Sequence, residues 1–242
     1  LMNYLQFGEI RHAVNVASLD PKTLESLRGY LDVAYRLGLL IAQWNGGSVE
    51  HCTVNYRGEV AGKDTKLLNA AFCAGLLEKA LEGDVNIINS ELLLEERGIE
   101  LVENRNREPG AFSSSMTVEV QSGSQKLRAG ATLFGSNMPR LISVDDCRLE
   151  AYLDGRLMFF HHTDKPGIIG HVGTIFGKHG INIAQMAVGR AGNQPGGAAI
   201  GVLNLDSLPP QNVVAEVLKL DAIQHVTLIE LPEAGELPGW LV

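Results

Sequence analysis

The most constraining feature of this sequence is an ordered succession of strand-like and helical segments in its last third. Short apolar runs that are typical of strands alternate with two patterns of helical period. The predicted segments are, in chain order, Leu157–His162, Gly167–His179, Ile181–Val188, Gly197–Leu205, Pro209–Leu220 and Ile223–Leu231. This βαββαβ order predicts a ferredoxin-like domain, in which two helices cover one face of a four-stranded antiparallel sheet.

The preceding residues follow a different order, with helical patterns first and short strands afterwards. A proline in the first turn marks a helix that starts at Pro21 and runs to the neighbourhood of Trp44. Further helices are predicted at Thr65–Leu81 and Asn86–Arg97, and a strand at Ser48–Arg57. The later predicted strands are Ile99–Glu103, Met116–Gln121, Leu127–Phe134, Leu141–Val144 and Leu149–Leu153. Helices followed by an antiparallel meander predict an α+β unit.

The length of 242 residues favours two domains over one. The change of pattern predicts a helix-rich α/β domain at residues 16–153 and the ferredoxin-like domain at 154–231, followed by a tail at 232–242. The whole chain is therefore predicted to be of the α+β class. Residues 1–15 resemble the last turns of a helix and a linker, and residue 1 is not a methionine. We therefore expect this chain to be a piece of a longer polypeptide.

The composition disfavours several classes of partner. The net charge of −8 disfavours a nucleic acid or an anionic membrane, either of which requires a basic surface. The apolar runs are far shorter than the ~20 residues of a membrane span. The cysteines, Cys52, Cys73 and Cys147, are odd in number and lack paired spacing. This pattern predicts a reducing cytoplasm and disfavours a metal site.

Motifs of common catalytic sites are missing from the sequence. It contains no G-x-G-x-x-G after a strand, no P-loop, no H-E-x-x-H and no G-x-S-x-G, so no catalytic residue is predicted. Gly167, Gly170 and Gly173 recur every third residue in a predicted helix. Small residues at this spacing favour close packing over phosphate binding.

One polar cluster stands at an unusual place, between an apolar strand and a helix. It consists of His161, His162 and Asp164. Asp164 is a residue type that caps helices, and the histidines could simply end the strand. Alternatively, the helix start binds a carboxylate through its unpaired N–H groups while Asp164 binds an ammonium group. The second arrangement matches a free α-amino acid, and the residues alone leave both interpretations open.

The same segment resembles the opening of an ACT domain, a small amino-acid-sensing module. The likeness covers the D-x-P-G turn that starts at Asp164, the G-I-N-I strand at 180–183, and the apolar helix positions Ile169, Val172, Ile175 and Phe176. Two further segments, 9–15 before the first domain and 34–39 within it, resemble the C-terminal half of D-3-phosphoglycerate dehydrogenases. The long form of that family carries an intervening domain, which binds an anionic ligand, between its catalytic core and its ACT domain.

This resemblance implies L-serine as an allosteric effector. The implied effector-binding residues are His162, Asp164, Gly167, Ile168, Ile169 and Asn182. It also implies an anion site for phosphate or a phosphorylated hydroxy acid, with Arg140 as the best positional match and Arg128 and Arg148 as further candidates. Tyr152 stands where the resemblance leads us to expect an arginine. The catalytic residues and the NAD of such an enzyme would lie outside this chain, which itself is expected to hold no cofactor.

ACT domains generally pair side by side, so the resemblance also implies a homodimer or a larger homo-oligomer. The predicted sheet independently favours association, because its edge strands carry few charges and one of its faces lacks a helix layer. Two other functions stay open. One is the regulatory part of an iron–sulfur L-serine dehydratase, disfavoured by the lack of a cysteine cluster and by the entry segment 8–15. The other is a free-standing amino-acid-binding module.

Overall fold

The computed structural model describes residues 21–46, 49–81, 85–192 and 194–241, and the predicted upstream segment 1–15 lies outside them. Within these residues the first domain contains helices packed on one sheet. The helices are α1 (Pro21–Asn45), α2 (Thr65–Leu77) and α3 (Ser90–Glu96), with a short 3-10 helix at Glu59–Gly62. The strands are β1 (His51–Gly58), β2 (Glu100–Asn106), β3 (Ser114–Ser122), β4 (Gln125–Phe134), β5 (Met138–Val144) and β6 (Cys147–Tyr152).

These strands form a sheet in the order β2-β1-β3-β4-β5-β6. Strands β3 to β6 make the predicted antiparallel meander. The prediction is wrong for β2, which pairs in parallel with β1 in the register His51 to Glu100. A parallel pair needs a long crossover connection, and the segment that holds α2 and α3 supplies it. The order of elements along the chain does not reveal this choice of neighbour.

Two predicted helix boundaries are also wrong. Helix α2 ends at Leu77 instead of Leu81, because the chain enters a turn there. Helix α3 begins at Ser90, four residues later than predicted. The Asn86 side chain accepts the N–H of Ile88 at 2.9 Å, and the Asn89 side chain accepts the N–H of Asn86 at 2.9 Å. Asparagine side chains that bond nearby backbone groups favour a turn over a helix.

Helix α1 crosses α2 at very short distance. A side chain at Gly38 would overlap the carbonyl oxygen of Phe72, and a side chain at Gly75 would overlap that of Tyr35. The two glycines therefore let the backbones touch. Because α1 packs on α2, on the first sheet and on the second domain, the side chains between Leu31 and Ile41 are all buried.

The second domain has the predicted ferredoxin-like arrangement. Its elements are β7 (Arg156–Thr163), α4 (Ile168–Lys178), β8 (Ile183–Arg190), β9 (Ala198–Leu205), α5 (Gln211–Val217) and β10 (Ile223–Glu230). The antiparallel sheet has the order β10-β7-β9-β8. Met158 and Phe160 of β7 pack with α4 and α5, in a core that also contains Val172, Phe176 and Val213.

The expectation of an uncovered sheet face is wrong, because the first domain covers it. Leu157 and Phe159 of β7 join the core of the first domain, and the Trp44 ring of α1 lies edge-on to Phe159 at 5.7 Å. The Gln185 side chain of β8 also bonds β6, donating to Glu150 O at 3.0 Å. Strand β7 is apolar on both faces, which is typical of a strand buried on both sides.

The tail folds back onto α1 through the buried Arg36. The Arg36 guanidinium pairs with Asp32, one turn earlier on α1, at 2.6 Å. It also donates hydrogen bonds to the carbonyl oxygens of Leu153, Pro232, Glu233 and Glu236. Trp240 lies edge-on to Tyr35 at 5.6 Å. Helix α1, the interdomain connection and the tail are thereby held together at one point.

Three further properties of the described residues concern the cysteines, membrane spans and metal ligands. All three cysteines are buried as free thiols, and burial raises the pKa of Cys52 to about 12. Among the described residues, none of the helices is both long and apolar enough to cross a membrane. The same residues contain no group of three His, Cys, Asp or Glu side chains placed to hold a metal ion.

Candidate functional site

The first residue of the predicted effector site, His162, is buried at the end of β7 with 2% of its surface exposed. Its ring stacks on Phe160 at 5.4 Å. Its Nδ1 lies 3.0 Å from the Thr163 carbonyl oxygen, which requires the proton on Nδ1. The other ring nitrogen, Nε2, is buried and bonds no group in the described part of the chain. Nε2 is therefore the ring nitrogen that can accept a hydrogen bond from a ligand.

Asp164 does not cap α4, so the capping interpretation is wrong. The residue before the helix is Gly167, with φ +92°, and no side chain of the described residues caps the first turn. The Asp164 carboxylate, 15% exposed, instead lies 2.8 Å from Arg190 Nε, at an angle that makes an ion pair but not a directed hydrogen bond. Its backbone N–H donates to the Gly197 carbonyl at 2.9 Å. Asp164 thus already holds a cation.

Arg190 was not among the residues predicted from the sequence. It ends β8, and its partner Ala199 in β9 also pairs with His162 of β7. The register of three strands therefore brings the arginine next to the polar cluster. The sequence signal was weak, since a single arginine at a strand end is usually only solvated.

Asn182 lies at the other end of the domain. It precedes β8, is exposed, and donates from Nδ2 to the Asp206 carboxylate at 2.8 Å. Strand β8 runs eight residues from there to Arg190, which corresponds to roughly 25 Å. The structure therefore brings His162 and Asp164 together but leaves Asn182 far from them within one chain.

The start of α4 supplies the remaining predicted groups. Gly167 is exposed, Ile168 is buried and Ile169 is half-buried. The first N–H groups of an α-helix have no partner within the helix, so those of Ile168 and Ile169 face the end of the helix axis. In the described part of the chain, no atom would come within 4 Å of a side chain placed at Gly170 or Gly173. The predicted close packing at these two glycines therefore has no partner here.

The predicted anion-site arginines separate into two places. Arg128 and Arg148 both line a cavity of about 920 Å³ on the face of the first sheet opposite α1 and α2. Arg128 lies 3.5 Å from Glu119, whereas Arg148 is exposed. Arg140 does not line this cavity.

Arg140 is enclosed by aromatic rings. Its guanidinium carbon lies 4.4 Å from the Tyr152 ring and 5.6 Å from the Phe134 ring. Among the described residues it donates one hydrogen bond, to the carbonyl of Pro139 at 2.9 Å. Its buried Nε makes no hydrogen bond there but lies 3.9 Å from the Glu150 carboxylate, at the limit of an ion pair. Tyr152, the residue found in place of an expected arginine, is thus the ring that holds Arg140. The guanidinium keeps several free donors although only 13% of its side chain is exposed.

Comparison with known proteins places both domains in one family. The D-3-phosphoglycerate dehydrogenase intervening domain matches residues 26–145, and the ACT domain matches residues 156–222. The chain is 34% identical over 231 residues to the D-3-phosphoglycerate dehydrogenase of Archaeoglobus fulgidus, a match that covers 96% of this chain and 44% of that protein.

Two further relatives lead to the same family. Identity is 32% with the D-3-phosphoglycerate dehydrogenase of Methanocaldococcus jannaschii, over 93% of this chain and 42% of that protein. It is 28% with the enzyme of the same name from Bacillus subtilis, over 94% of this chain and 44% of that protein. The chain therefore spans less than half the length of these relatives. It belongs to the D-3-phosphoglycerate dehydrogenase family and comprises the regulatory intervening and ACT domains of that family.

Proposed function

We propose that this chain is the L-serine-sensing part of a D-3-phosphoglycerate dehydrogenase, whose NAD-dependent catalytic part is made of other residues. The relatives are D-3-phosphoglycerate dehydrogenases, which supports the parent activity, and these proteins are more than twice as long as the matched region. The observation that carries the serine assignment is the Asp164–Arg190 ion pair beside the start of α4. A largely buried carboxylate that holds a guanidinium is suited to hold an ammonium group instead.

The proposed pose uses both charges of the amino acid. The ammonium group replaces the Arg190 guanidinium at Asp164, and Arg190, which is half exposed, turns to solvent. The carboxylate lies at the N–H groups of Ile168 and Ile169, where the helix dipole favours negative charge. Asn182 of a second copy supplies an amide for the serine hydroxyl.

Replacing Asp164 with alanine is expected to weaken serine binding at least tenfold. A charge-assisted hydrogen bond contributes roughly 1.5–3 kcal/mol, and 1.4 kcal/mol corresponds to a factor of ten. Isothermal titration calorimetry with L-serine measures the change. Asp64→Ala, which removes an exposed aspartate of the first domain, is the matched control and should bind as the unmodified chain does. Equal affinity of Asp164→Ala and Asp64→Ala would contradict the assignment.

We also propose an anion site at Arg140. The support is its enclosed guanidinium, which makes one hydrogen bond to the neighbouring carbonyl and a loose ion pair with Glu150 at 3.9 Å, so that an anion can compete for its other donors. Phosphate at a hundredfold excess over its dissociation constant should stabilise the chain by ~2.7 kcal/mol. Arg140→Met should remove this shift, whereas Arg97→Met, on an exposed arginine at the end of α3, should keep it. The measurement is thermal unfolding with and without phosphate. A wild-type melting curve that phosphate leaves unchanged would contradict the proposal.

Association through the edge strand β8 completes the proposal. If β8 pairs antiparallel with its copy across a two-fold axis, Asn182 of one copy comes to the Arg190 end of the other, beside Asp164. The edge carries Val188, which is 43% exposed.

We therefore expect light scattering to return at least twice the mass of one chain, and tighter association with serine. Val188→Lys should favour the monomer because it places a like charge on both edges. Leu218→Lys, at a similarly exposed apolar residue directly after α5, should leave the dimer intact. A monomer at micromolar concentration, with and without serine, would be incompatible with this arrangement.

A further inference from the structure

The register of the first sheet aligns a row of small or polar residues that crosses all its strands and ends at an arginine. Consecutive pairings link, in sheet order, Asn104, Asn55, Thr117, Gly130, Ser143 and Arg148. The neighbouring row, Val54, Val118, Ala129, Val144 and Cys147, is buried in the core with α1 and α2. Because side chains alternate across a sheet, the polar row faces the opposite side.

The residue in the middle of this row is Gly130, which has no side chain, so the sheet surface has a hollow there. A side chain at Gly130 would overlap the Ser143 hydroxyl and would lie 3.3 Å from the Thr117 hydroxyl. The Ser143 and Thr117 hydroxyl groups therefore lie directly beside Gly130, a strand position that has no room for a side chain. Beside them, the Asn55 amide oxygen accepts a hydrogen bond from Asn104 Nδ2 at 3.0 Å. The floor thus offers hydroxyl and amide groups that both donate and accept hydrogen bonds.

A loop makes the hollow into a cavity. Residues 110–112, between β2 and β3, line it together with the polar row, and its volume is about 920 Å³. Phe112 of this loop packs on Phe134, with ring centres 6.3 Å apart. Arg57 Nε donates to the Glu108 carbonyl of the same loop at 3.3 Å. A volume of this size is that of a small-molecule site and far exceeds that of a single ion.

Four arginines and three carboxylates line the cavity, and among the described residues two of those arginines lack an ion-pair partner. Arg105 pairs with Glu103, and Asp146 is an exposed carboxylate of the lining. Glu119 pairs with the Arg128 guanidinium at 3.5 Å, and the Asp145 carboxylate accepts the Arg128 backbone N–H at 3.2 Å. Across the described residues, no carboxylate lies within ion-pair distance of Arg148 or Arg57. Arg148, at one end of the polar row, can therefore bind an anionic group in two-pronged fashion.

We propose that this cavity binds a hydroxyl-rich phosphate ester, that is, a sugar phosphate or a phosphorylated sugar acid. Its phosphate lies at Arg148, and its hydroxyl groups lie over Ser143, Gly130 and Thr117. Three strand spacings separate β6 from β3, about 14 Å, so an extended ligand reaches groups that free phosphate cannot reach together. This site is separate from the serine and Arg140 sites and goes beyond the proposed function.

The test is calorimetric titration of the chain with glucose 6-phosphate, ribose 5-phosphate and 6-phosphogluconate, and with inorganic phosphate and glucose for comparison. We expect at least one of the three esters to bind at least tenfold more tightly than either inorganic phosphate or glucose. Arg148→Met and the nearly isosteric Thr117→Val should each weaken that binding at least tenfold. Arg140→Met separates this site from the proposed anion site and should bind the ester as the unmodified chain does.

Three results would overturn the proposal. One is that none of the three esters binds more tightly than inorganic phosphate, which would indicate a general anion site at most. Another is unchanged ester affinity in both Arg148→Met and Thr117→Val. The third is loss of ester binding in Arg140→Met alone, which would assign the ligand to the aromatic-enclosed arginine. Melting curves confirm that each variant is folded, so a loss of binding is not a loss of structure.

Discussion

Replacing Arg36 with methionine is expected to lower the free energy of unfolding by about 3–5 kcal/mol, because it breaks a buried ion pair from one side. The variant leaves Asp32 as an uncompensated charge, since that carboxylate is almost fully buried. It also removes the donors for the carbonyl oxygens of Leu153, Pro232, Glu233 and Glu236. The tail then loses its attachment to α1.

Urea unfolding measures this loss, with Arg97→Met as the control. Arg97 is exposed, so its removal should change stability by no more than ~0.5 kcal/mol. A loss below 1 kcal/mol in Arg36→Met would show that the hydrogen bonds to the tail contribute little. The double variant Asp32→Leu/Arg36→Met should recover part of the loss, because it leaves no buried charge behind.

The loss of unfolding free energy in Arg36→Met should also depend on pH. Burial raises the pKa of Asp32, and the Arg36 guanidinium opposes that rise. Without Arg36 the folded-state pKa of Asp32 rises further. A carboxyl whose folded pKa lies above its unfolded value destabilises the protein increasingly as the pH rises above the unfolded value of about 3.9. The difference between Arg36→Met and the unmodified chain should therefore be smaller at pH values near that value than at neutral pH.

Phe160→Ala is expected to cost about 3–5 kcal/mol, the range for removing a fully buried aromatic ring. Phe160 has no exposed surface and lies in the core between β7, α4 and α5. Its ring also covers Gly201, where a side chain would overlap it. The ring stacks on His162, so its loss should weaken serine binding as well. Thermal unfolding and calorimetry on the same preparation give both effects.

Leu218→Ala is the matched control for this variant, because it removes apolar atoms from an exposed position of the same domain. It should change the free energy of unfolding by no more than ~0.5 kcal/mol. If Phe160→Ala loses less than 1.5 kcal/mol, the core of the second domain is not closely packed around this ring. If stability falls and serine affinity does not, the stacking on His162 is not needed for binding.

Local sequence patterns were sufficient to predict the features that a single stretch of chain determines. The period of the apolar residues predicts α1, α4 and the strands β7 to β10 within a few residues of their observed bounds. The βαββαβ order has few compatible folds, so the second domain follows from it directly. In the effector site, His162 and Asp164 are neighbours in the sequence and therefore neighbours in space.

Features that depend on two segments far apart in the sequence could not be predicted from local patterns. The parallel pairing of β2 with β1, the Arg190 guanidinium beside Asp164, and the contact of Trp44 with Phe159 each join residues far apart along the chain. Short apolar strands are compatible with several neighbours, and packing selects among them. The three candidate arginines illustrate the limit, because the sequence grouped them and the structure separates Arg140 from the other two.

The sequence by itself thus determined the class of each segment, the order of the two domains and the identity of the residues at the start of α4, because period and turn residues act locally. Only the tertiary structure decided which groups share a site. It placed Asn182 at the far end of β8 from Asp164, enclosed Arg140 between aromatic rings, and aligned the polar row that ends at Arg148. The reason is physical: register and burial are set by the packing of whole sheets and helices, which no single stretch of chain encodes.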